Sequence, residues 1–378
     1  MKLAIISTME GFAWGGSEEL WFRVALHALE KQHEVLVCVK AWPAEPEKIR
    51  LLRGKGARIV LREKEEAAAL LDRISRKLGA KKNDPPSFIR AINDFHPDRI
   101  LVSQGGTFDV FRRQEFVELI AGEAPLFLIS QFNFENGNPA DEKTKQNIQL
   151  LSRRWKKFYF VSQRNLETAE RQAAQQLPHT QLVSNPVNYA QAGILPWPQG
   201  ERLRLACVAR YQCSLKGQDI LLQALAAPAL RSFSWELDFF GEGPDKAHLE
   251  KLIAHYGLAD RVKLAGHVSD IEQVWREHHA LVLPSIAEGT PLVVQECMLK
   301  GRPALVTDVG DCARLIADGK EGFLAPVAAP RYLEQKLLGL FQAGMPTLEA
   351  MGRAAFEKAS ALVDLHAAER ILLEIEAA

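Results

Sequence analysis

The stretch LVLPSIAEGTPLVVQECMLKG, residues 281–301, predicts a strand, a tight loop and a helix in succession. Its first three residues form an apolar run that a proline and a serine close, which is typical of a buried strand. Thr290 and Pro291 predict a helix N-cap followed by proline at the first helical position, and Gly301 predicts the helix end. The free N–H groups and the positive dipole end at such a helix start would attract an anion above the strand.

Two carboxylates frame this predicted anion site. Glu288 lies in the loop before the helix and Glu296 lies about six residues into it, which separates them by roughly 9 Å along the helix axis. This span suits a nucleotide-sugar, whose hydroxyl groups lie on both sides of a diphosphate. The spacing alone also fits an exposed loop acid and a solvated helix acid. The neighbouring residues are therefore needed to distinguish a ligand site from two ordinary surface carboxylates.

Three further motifs accompany the two glutamates. EGTP begins at Glu288, GRP begins at Gly301, and TDVG ends at Gly310. Together with Glu296 they resemble the signature of retaining glycosyltransferases of family 4, also described as glycosyl transferases group 1, which have the GT-B fold. The resemblance implies an α/β protein in which two Rossmann-like, doubly wound parallel-sheet domains face a central cleft.

The length of 378 residues suits two such domains. We expect an acceptor-side domain at residues 1–184 and a nucleotide-sugar donor domain at residues 201–354. The proline-rich stretch PWPQG predicts an interdomain linker over residues 185–200. By resemblance, a final helix from about Met351 to Glu376 would bring residues 355–378 back onto the first domain.

The charge distribution argues against a nucleic-acid partner. The 47 Lys and Arg residues balance the 47 Asp and Glu residues. Residues 1–185 hold 28 basic and 23 acidic residues, whereas residues 186–378 hold 19 and 24, so the first half is positive. The basic run from Lys48 to Arg90 would form either a solvated helical face or a surface for an acceptor or for membrane headgroups.

Cysteine usage and hydropathy indicate the compartment. The five cysteines show no C-x-x-C spacing and lie mostly in apolar runs, so we expect reduced thiols in a cytoplasmic protein. The apolar run at the start is too short for a signal peptide, and no apolar segment approaches the about 18 residues of a membrane span. Any contact with the inner face of a membrane would therefore be peripheral, through the basic first domain.

A second unit of strand, turn and helix begins the chain. Residues 3–7 predict a buried strand, and helical spacing starts at Leu20. Gly15 and Gly16 lie between them, with Ser17 as the expected N-cap. A glycine pair alone also fits an ordinary turn, but the resemblance implies that this loop approaches the donor diphosphate and the acceptor.

Gln131 follows a predicted strand at residues 125–130. The carboxyl end of such a strand is where ligands bind in open parallel sheets. Many members of the family have a histidine here, which is thought to assist at the reacting sugar. Glutamine can hydrogen-bond a sugar hydroxyl but cannot take a proton at neutral pH, which argues against a general base in this loop.

Arg210 and Lys216 follow the expected first strand of the second domain, at residues 203–209. In isolation they would be ordinary surface charges. Their positions match the arginine and the lysine-glycine pair that hold the donor diphosphate in the family. An arginine fork and a mobile lysine charge can together neutralise a departing nucleotide.

The resemblance also assigns the remaining substrate contacts. It implies that Glu288 holds hydroxyls of the donor sugar and that Glu296 accepts a hydrogen bond from the ribose. The glycines at 241 and 243 would let the backbone approach the nucleotide, and the residue at 268 would lie near its base. The further substrate-binding positions that we expect are Gly241, Gly243, Val268, Gly289, Thr290, Pro291 and Leu292.

We expect neither a metal nor a cofactor. The chain contains no Asp-x-Asp motif and no convincing His and Cys ligand cluster, so cationic side chains and helix starts would have to meet the leaving-group charge. The predicted reaction transfers a hexose from a UDP-, GDP- or ADP-sugar to a glycan or glycolipid with retained configuration. The acceptor hydroxyl would attack from the face that the nucleotide leaves, and the diphosphate would take its proton.

Two other functions remain open. A nucleotide-sugar epimerase of the same fold would convert its substrate without an acceptor, and a binding protein would hold a nucleotide-sugar or glycan without turnover. A dehydrogenase fits less well, because Gly15 and Gly16 lack the third glycine and the acidic residue of dinucleotide binders. The identity of the donor base and that of the acceptor do not follow from these motifs.

Overall fold

The computed structural model describes residues 1–62, 86–187 and 193–378. The chain divides into two compact units, the first formed by Met1–Pro186 and Asp364–Ala378 and the second by Val187–Val363. Most of the basic run between Lys48 and Arg90 lies outside the described residues, so its surface role stays a prediction. Among the residues that are described, no helix is both long enough and apolar enough to cross a bilayer.

The described residues of the first unit form a parallel sheet of seven strands with helices on both faces. Its strands are β1 (Lys2–Ser7), β2 (Glu34–Lys40), β3 (Arg58–Arg62), β4 (Arg99–Gln104), β5 (Leu126–Ser130), β6 (Trp155–Phe160) and β7 (Thr180–Leu182). Its helices up to β7 are α1 (Glu19–Glu30), α2 (Glu47–Gly54), α3 (Ser87–Phe95), α4 (Asp109–Arg112), α5 (Gln114–Ile120), α6 (Glu142–Leu151) and α7 (Gln163–Ala173).

The strand order of this sheet is β3-β2-β1-β4-β5-β6-β7, which is a doubly wound arrangement. The winding reverses between β1 and β4, where Ile5 lies opposite Leu101. Both side chains are fully buried, because helices cover the two faces of the sheet. The continuous apolar runs that predicted these strands are therefore explained by burial on both sides.

The second unit repeats this plan, with six parallel strands in the part of it that the structure describes. The strands are β8 (Leu203–Val208), β9 (Trp235–Phe240), β10 (Val262–Gly266), β11 (Ala280–Leu283), β12 (Ala304–Thr307) and β13 (Gly322–Ala325). The helices are α8 (Cys213–Lys216), α9 (Gln218–Leu225), α10 (Lys246–His255), α11 (Ile271–Glu277), α12 (Leu292–Met298), α13 (Cys312–Leu315) and α14 (Pro330–Leu362). The order β10-β9-β8-β11-β12-β13 places the reversal between β8 and β11.

The end of the chain differs from the single helix predicted over Met351 to Glu376. α14 ends at Leu362, and α15 (Ala367–Glu376) follows after a short break. Only α15 belongs to the first unit, where it packs on α1 and where Glu376 pairs with Lys31 over 2.8 Å. The sequence carries no glycine or proline at this break, so the helical pattern appeared continuous.

A buried arginine holds the segment before β8 to the second unit. Arg302 is fully buried, and it donates from Nη2 to the Pro196 carbonyl over 2.6 Å and from Nε to the Trp275 carbonyl over 2.9 Å. Burial lowers the pKa of this guanidinium to about 10. Residues 193–200, predicted as part of a linker, belong to the second unit, and their role as a linker stays a prediction.

A glycine in α14 is required by close packing, and its replacement tests this. A Cβ on Gly352 would lie 2.1 Å from the carbonyl oxygen of Gly301, which is backbone and cannot yield without a shift of the helices. We expect Gly352→Ala to lower the free energy of unfolding by about 1–3 kcal/mol despite the higher helix propensity of alanine. The measurement is the melting temperature of the purified variant.

Gly339 provides the matched control, in the helical segment that precedes the break at Gly344 within residues 330–362. A Cβ there would meet only a Phe323 ring carbon at 3.3 Å, and a side chain can move aside. Gly339→Ala should therefore leave the melting temperature unchanged or raise it. Equal destabilisation by the two substitutions would contradict the packing argument.

Candidate active site

Four loops meet at the carboxyl edge of the second sheet. They follow β8, β9, β11 and β12, at residues 209–212, 241–245, 284–291 and 308–311. Backbone hydrogen bonds join them in pairs: the Tyr211 N–H donates to the Glu242 carbonyl, and the Asp311 N–H donates to the Gly289 carbonyl, each over 3.0 Å. In doubly wound sheets this edge, at the reversal of strand order, is where ligands bind.

Two of the predicted site residues meet directly at this edge. Lys216 Nζ lies 2.5 Å from Glu288 Oε1, and the Ser285 hydroxyl donates to the same oxygen over 2.7 Å. The Glu288 residue is 8% exposed, whereas the Lys216 side chain is 23% exposed. The pair therefore combines a cation that solvent can reach with a carboxylate that is largely shielded from it.

The turn that carries Lys216 is pressed against the loop that carries Glu288. The N–H of Ile286 donates to the Leu215 carbonyl over 2.8 Å. Gly217 has φ +62°, and a Cβ there would lie 2.2 Å from the Pro284 carbonyl oxygen. Glycine is required at this position both by its left-handed backbone and by the close approach, and this contact brings the lysine to the glutamate.

Arg210 lies in the loop directly after β8. Its carbonyl oxygen accepts a hydrogen bond from Gln218 Nε2 over 2.7 Å, at the first residue of α9. The side chain is half-buried. The structure thus places Arg210 and Lys216 at the two ends of one short connection between β8 and α9, and their grip on a diphosphate stays a prediction.

Gly241 and Gly243 have a packing role that the sequence did not indicate. A Cβ on Gly241 would lie 2.1 Å from the Ala209 carbonyl oxygen, and one on Gly243 would lie 2.3 Å from the Tyr211 carbonyl oxygen. These contacts fix the loop that carries Arg210. Their predicted approach to a nucleotide stays a prediction beside this structural requirement.

The helix after Glu288 begins one residue later than predicted. Pro291 is the N-cap of α12, no side chain caps the helix, and Thr290 lies in the loop, so the prediction of Thr290 as N-cap was wrong. Gly301 does end the helix: it has φ +72°, its N–H donates to the Met298 carbonyl, and the Arg302 N–H donates to the Cys297 carbonyl, as in a Schellman motif. Proline lacks the N–H and favours an extended preceding residue, which delays the first turn.

Glu296 and Val268 are placed less directly at the site. Glu296 is 4% exposed on α12, and Val268 is half-buried beyond β10, where it packs against the core that contains Trp275. In the part of the chain that the structure describes, neither residue forms a hydrogen bond or ion pair with Lys216 or Glu288. Their contacts with a ribose and a base, like those of residues 289–292, stay predictions.

Three residues that contact Glu288 or the loop around it were not predicted as site residues. Ser285 binds Glu288, and Thr307 donates from its hydroxyl to the Ser285 carbonyl over 2.5 Å. Gly310 has φ +52°, and a Cβ there would lie 2.1 Å from the Gly289 carbonyl oxygen. Gly310 and Thr307 are the ends of the TDVG motif, so the signal was present, but its physical meaning depends on a contact with a distant loop.

In the first unit the glycine turn is built differently from the prediction. Residues Gly16–Glu18 form a 3-10 turn before α1, and Glu18 rather than Ser17 is the N-cap of α1 without a capping side-chain bond. Glu18 is 4% exposed and accepts a hydrogen bond from the Ser7 hydroxyl over 2.8 Å. Ser17 was therefore wrong as a cap, because the 3-10 turn moves the helix start past it.

Gln131 lies immediately after β5, as predicted, and is buried. Its Oε1 accepts a hydrogen bond from Asn185 Nδ2 over 2.8 Å, and its N–H donates to the Gln104 carbonyl. Gln131 Nε2 and Asn185 Oδ1 are buried without partners among the described residues. The amide pair is a neutral polar contact, and a role for Gln131 in catalysis stays a prediction.

The cysteine thiols lie in the interior of the protein. All the cysteines are free and buried, as the apolar runs around most of them predicted. Burial raises the pKa of the Cys207 thiol to about 12, so it is protonated at neutral pH. Within residues 1–62, 86–187 and 193–378, no group of three or more His, Cys, Asp or Glu side chains is arranged to hold a metal ion.

Solved structures share the fold of this chain. The chain superposes on Anabaena Alr3699/HepE, crystallised with UDP and glucose, with a TM-score of 0.72, 16% identity and coverage of 99% of each chain. It superposes on the apo form of the lipopolysaccharide outer core galactosyltransferase WaaB with a TM-score of 0.69, 18% identity and coverage of 100% of this chain and 99% of the other. The prediction of GT-B architecture from two Rossmann-like parallel sheets is confirmed.

A family model matches part of the second unit. Residues 202–343 match the family described as Glycosyl transferases group 1, so the resemblance is confirmed for the second unit. That stretch contains Arg210, Lys216, Glu288 and Glu296. The assignment to family 4 and the retained configuration stay predictions.

Curated relatives match about a third of the chain. The alpha-D-kanosaminyltransferase of Streptomyces kanamyceticus is 35% identical over 113 residues, which are 29% of this chain and 29% of that protein. The D-inositol 3-phosphate glycosyltransferase of Streptomyces avermitilis is 36% identical over 156 residues, 37% of this chain and 32% of that protein. The matched stretches thus span about a third of the length of these relatives.

The contact between Gly310 and the Glu288 loop leads to a test of how rigid the site has to be. Gly310→Ala would place a methyl group 2.1 Å from the Gly289 carbonyl oxygen, so the loop must move and Glu288 with it. We expect the affinity for a nucleotide-sugar to fall at least about tenfold, as expected when a binding group moves by an ångström. Isothermal titration calorimetry measures this.

Gly319→Ala is the matched control for Gly310→Ala. Gly319 also has a left-handed backbone, with φ +80°, but a Cβ there would meet nothing within 4 Å. Both substitutions introduce the same type of backbone strain, whereas only Gly310→Ala displaces the loop that carries Glu288. A comparable loss of affinity in both variants would refute the contact as the cause.

The buried carboxyl of Glu18 makes stability depend on pH. Burial raises the pKa of Glu18 from 4.5 to about 7, against the opposing hydrogen bond from Ser7. Between pH 4.5 and 7 the folded protein holds this proton while the unfolded chain releases it, so the free energy of unfolding falls as pH rises. The Glu18→Gln variant lacks this dependence. As pH rises from 4.5 to 7, its melting temperature should therefore rise relative to that of the wild type.

Melting curves at several pH values from 4.5 to 8 test the Glu18 prediction. Glu47→Gln, at an exposed position in α2, is the control and should follow the wild type throughout. If Glu18→Gln and the wild type lose stability in parallel from pH 4.5 to 7, the buried carboxyl is not the source.

Proposed function

We propose that this protein is a retaining glycosyltransferase, which moves a hexose from a nucleotide-diphosphate sugar to a glycan, glycolipid or similar acceptor without a metal ion. The observation that carries the proposal is the Lys216–Glu288 pair at the carboxyl edge of the second sheet. The family match over residues 202–343 and the fold similarity to glycosyltransferases support it.

The two charges of the pair suit the two parts of the donor. The Lys216 ammonium is partly exposed and has three donors, so it can bind a phosphate oxygen while it keeps its contact with Glu288. Arg210, at the other end of the same connection, adds a planar fork that matches a phosphate. Glu288 is an acceptor only, which suits the hydroxyl groups of a sugar and repels the phosphates from its own position.

The charge that develops during the reaction lies on the departing diphosphate. As the bond between the anomeric carbon and the phosphate oxygen breaks, Lys216 and Arg210 stabilise the released charge through preorganised donors. The acceptor hydroxyl then attacks the anomeric carbon from the same face, and its proton passes to a diphosphate oxygen. This route needs no protein base, which agrees with glutamine at position 131.

The donor and the acceptor define the first substrates to try. Similar structures were solved with UDP or with UDP-glucose, so UDP-hexoses come first, followed by GDP- and ADP-hexoses. Gly15, Gly16 and Gln131 lie at the carboxyl edge of the first sheet, and we assign the acceptor to that unit. A thermal-shift panel finds the donor, because a ligand that binds the folded state raises the melting temperature in proportion to its occupancy.

The Lys216–Glu288 pair gives the decisive prediction for this function. Lys216→Ala and Glu288→Ala should each lower kcat/KM for sugar transfer at least about 100-fold, since each removes an electrostatic contact of the reacting donor. The assay measures the release of the nucleoside diphosphate, which accompanies transfer to an acceptor or to water. Lys251→Ala, at an exposed position on α10, is the control and should retain full activity.

Other outcomes would overturn the proposal in recognisable ways. Full activity of both Lys216→Ala and Glu288→Ala would show that this ion pair has no role in catalysis. Conversion of a nucleotide-sugar into its isomer without release of nucleotide would indicate an epimerase. Binding without any turnover by the wild type, with candidate acceptors present, would indicate a binding protein. Addition of EDTA to the active enzyme should leave the rate unchanged, and a loss of rate restored by Mg²⁺ would contradict the metal-independent part.

A further inference from the structure

The two oxygens of the Glu288 carboxylate have different surroundings. Oε1 accepts one hydrogen bond from Lys216 Nζ and another from the Ser285 hydroxyl. A carboxylate oxygen has two lone-pair sites, so Oε1 is saturated. Among the residues that the structure describes, none donates to Oε2.

Solvent reaches the second oxygen. The buried side-chain oxygens and nitrogens without a partner do not include any atom of Glu288. An unpartnered Oε2 outside that set must therefore be accessible, although the residue as a whole is buried. Oε2 is an acceptor that the protein leaves open at the ligand-binding edge of the sheet.

Ser285 determines which oxygen is open. Its side chain is completely buried below the carboxylate, and its carbonyl is held in turn by the Thr307 hydroxyl over 2.5 Å. Thr307 is the last residue of β12, so the orientation of the carboxylate is fixed to the sheet through two short contacts. Lys216 alone could not fix it, because an ammonium on a flexible stem can follow either oxygen.

We propose that Ser285 is a positioning residue that reserves Glu288 Oε2 for one hydroxyl group of the donor sugar. This inference rests on the proposed function and adds a specificity to it. The group at that position of the sugar must donate a hydrogen bond, so a hydroxyl is accepted. Fluorine and hydrogen are rejected because neither can donate, and Oε2, which the bound sugar would shield from water, is then left without a partner.

The experiment uses a nucleotide-sugar that the wild type transfers, together with analogues in which each hydroxyl in turn is replaced by fluorine. For the wild type we expect one position at which fluorine lowers kcat/KM at least about 100-fold, as a site built to bind a hydroxyl requires. In Ser285→Ala the carboxylate is free to turn, and this selectivity should fall about tenfold or more. The selectivity at the other hydroxyls should stay unchanged.

Glu288→Gln provides a second and sharper variant. Lys216 and Ser285 are both donors, so the amide oxygen will take the Oε1 position and the amide nitrogen will take the Oε2 position. The site then presents a donor where it presented an acceptor. We expect this variant to lose the preference for hydroxyl over fluorine at the same position, whatever its absolute rate.

Ser162→Ala is the matched control for Ser285→Ala. Ser162 is also completely buried, and its hydroxyl accepts a hydrogen bond from the Asn165 N–H at the start of α7, in the first unit. Its loss should lower stability in the way expected for a helix cap, without any change in the fluorine selectivity. Thus a general loss of stability is distinguished from a loss of carboxylate orientation.

The outcomes separate this inference from the proposed function. If the wild type transfers a sugar but Ser285→Ala retains the full selectivity, the positioning role is wrong and the transferase stands. If the wild type binds a nucleotide-sugar without transfer, the preference for hydroxyl over fluorine is measured as a ratio of dissociation constants. Comparison of this ratio between the wild type and Ser285→Ala then tests the role of Ser285 independently of catalysis. If the wild type binds no UDP-, GDP- or ADP-hexose, the proposed function and this inference both fall.

Discussion

The ion pair between Lys216 and Glu288 is the interaction on which the rest of the candidate site depends. A largely buried carboxylate loses most of its hydration, and the attraction of a single ammonium barely offsets that loss. An apolar pair of similar size would stabilise the fold at least as well. The pair stands instead at the carboxyl edge of a doubly wound sheet, where one partner is partly exposed and the other keeps an open oxygen. Under the proposed function, the pair contributes to donor binding rather than to stability.

The loops around this pair are held by backbone contacts that only glycine permits. Gly217, Gly241 and Gly310 each have a left-handed backbone, and a Cβ at any of them would lie within 2.2 Å of a carbonyl oxygen of a neighbouring loop. These contacts place the β8, β9, β11 and β12 loops at fixed distances. A rigid loop set allows two side chains from distant parts of the chain to meet with hydrogen-bond geometry before any ligand arrives.

The first unit uses the same sheet plan with a different set of polar groups. Where the second unit has an ion pair, the first has a carboxyl, Glu18, whose pKa burial raises to about 7, and a neutral amide pair between Gln131 and Asn185. The buried Arg62 side chain acts on Glu18 electrostatically and pairs with Glu10 over 2.6 Å. The assignment of the diphosphate to the second unit and of the acceptor to the first remains part of the proposed function.

Many strands of the two units were visible as local apolar runs, because strands buried on both faces are apolar throughout. The two-domain architecture was instead implied by the family resemblance. The residues of the ion pair were also found, since Lys216 and Glu288 stand in motifs with a characteristic spacing. The start of α12, the break before α15 and the helix cap near Ser17 were misplaced by one or a few residues, because turn geometry at helix ends depends on packing. The roles of Ser285, Thr307 and Gly310 could not be predicted at all. Each acts through an atom that is close in space but remote in sequence, so only the tertiary structure shows which oxygen of Glu288 is occupied and which is left for a ligand.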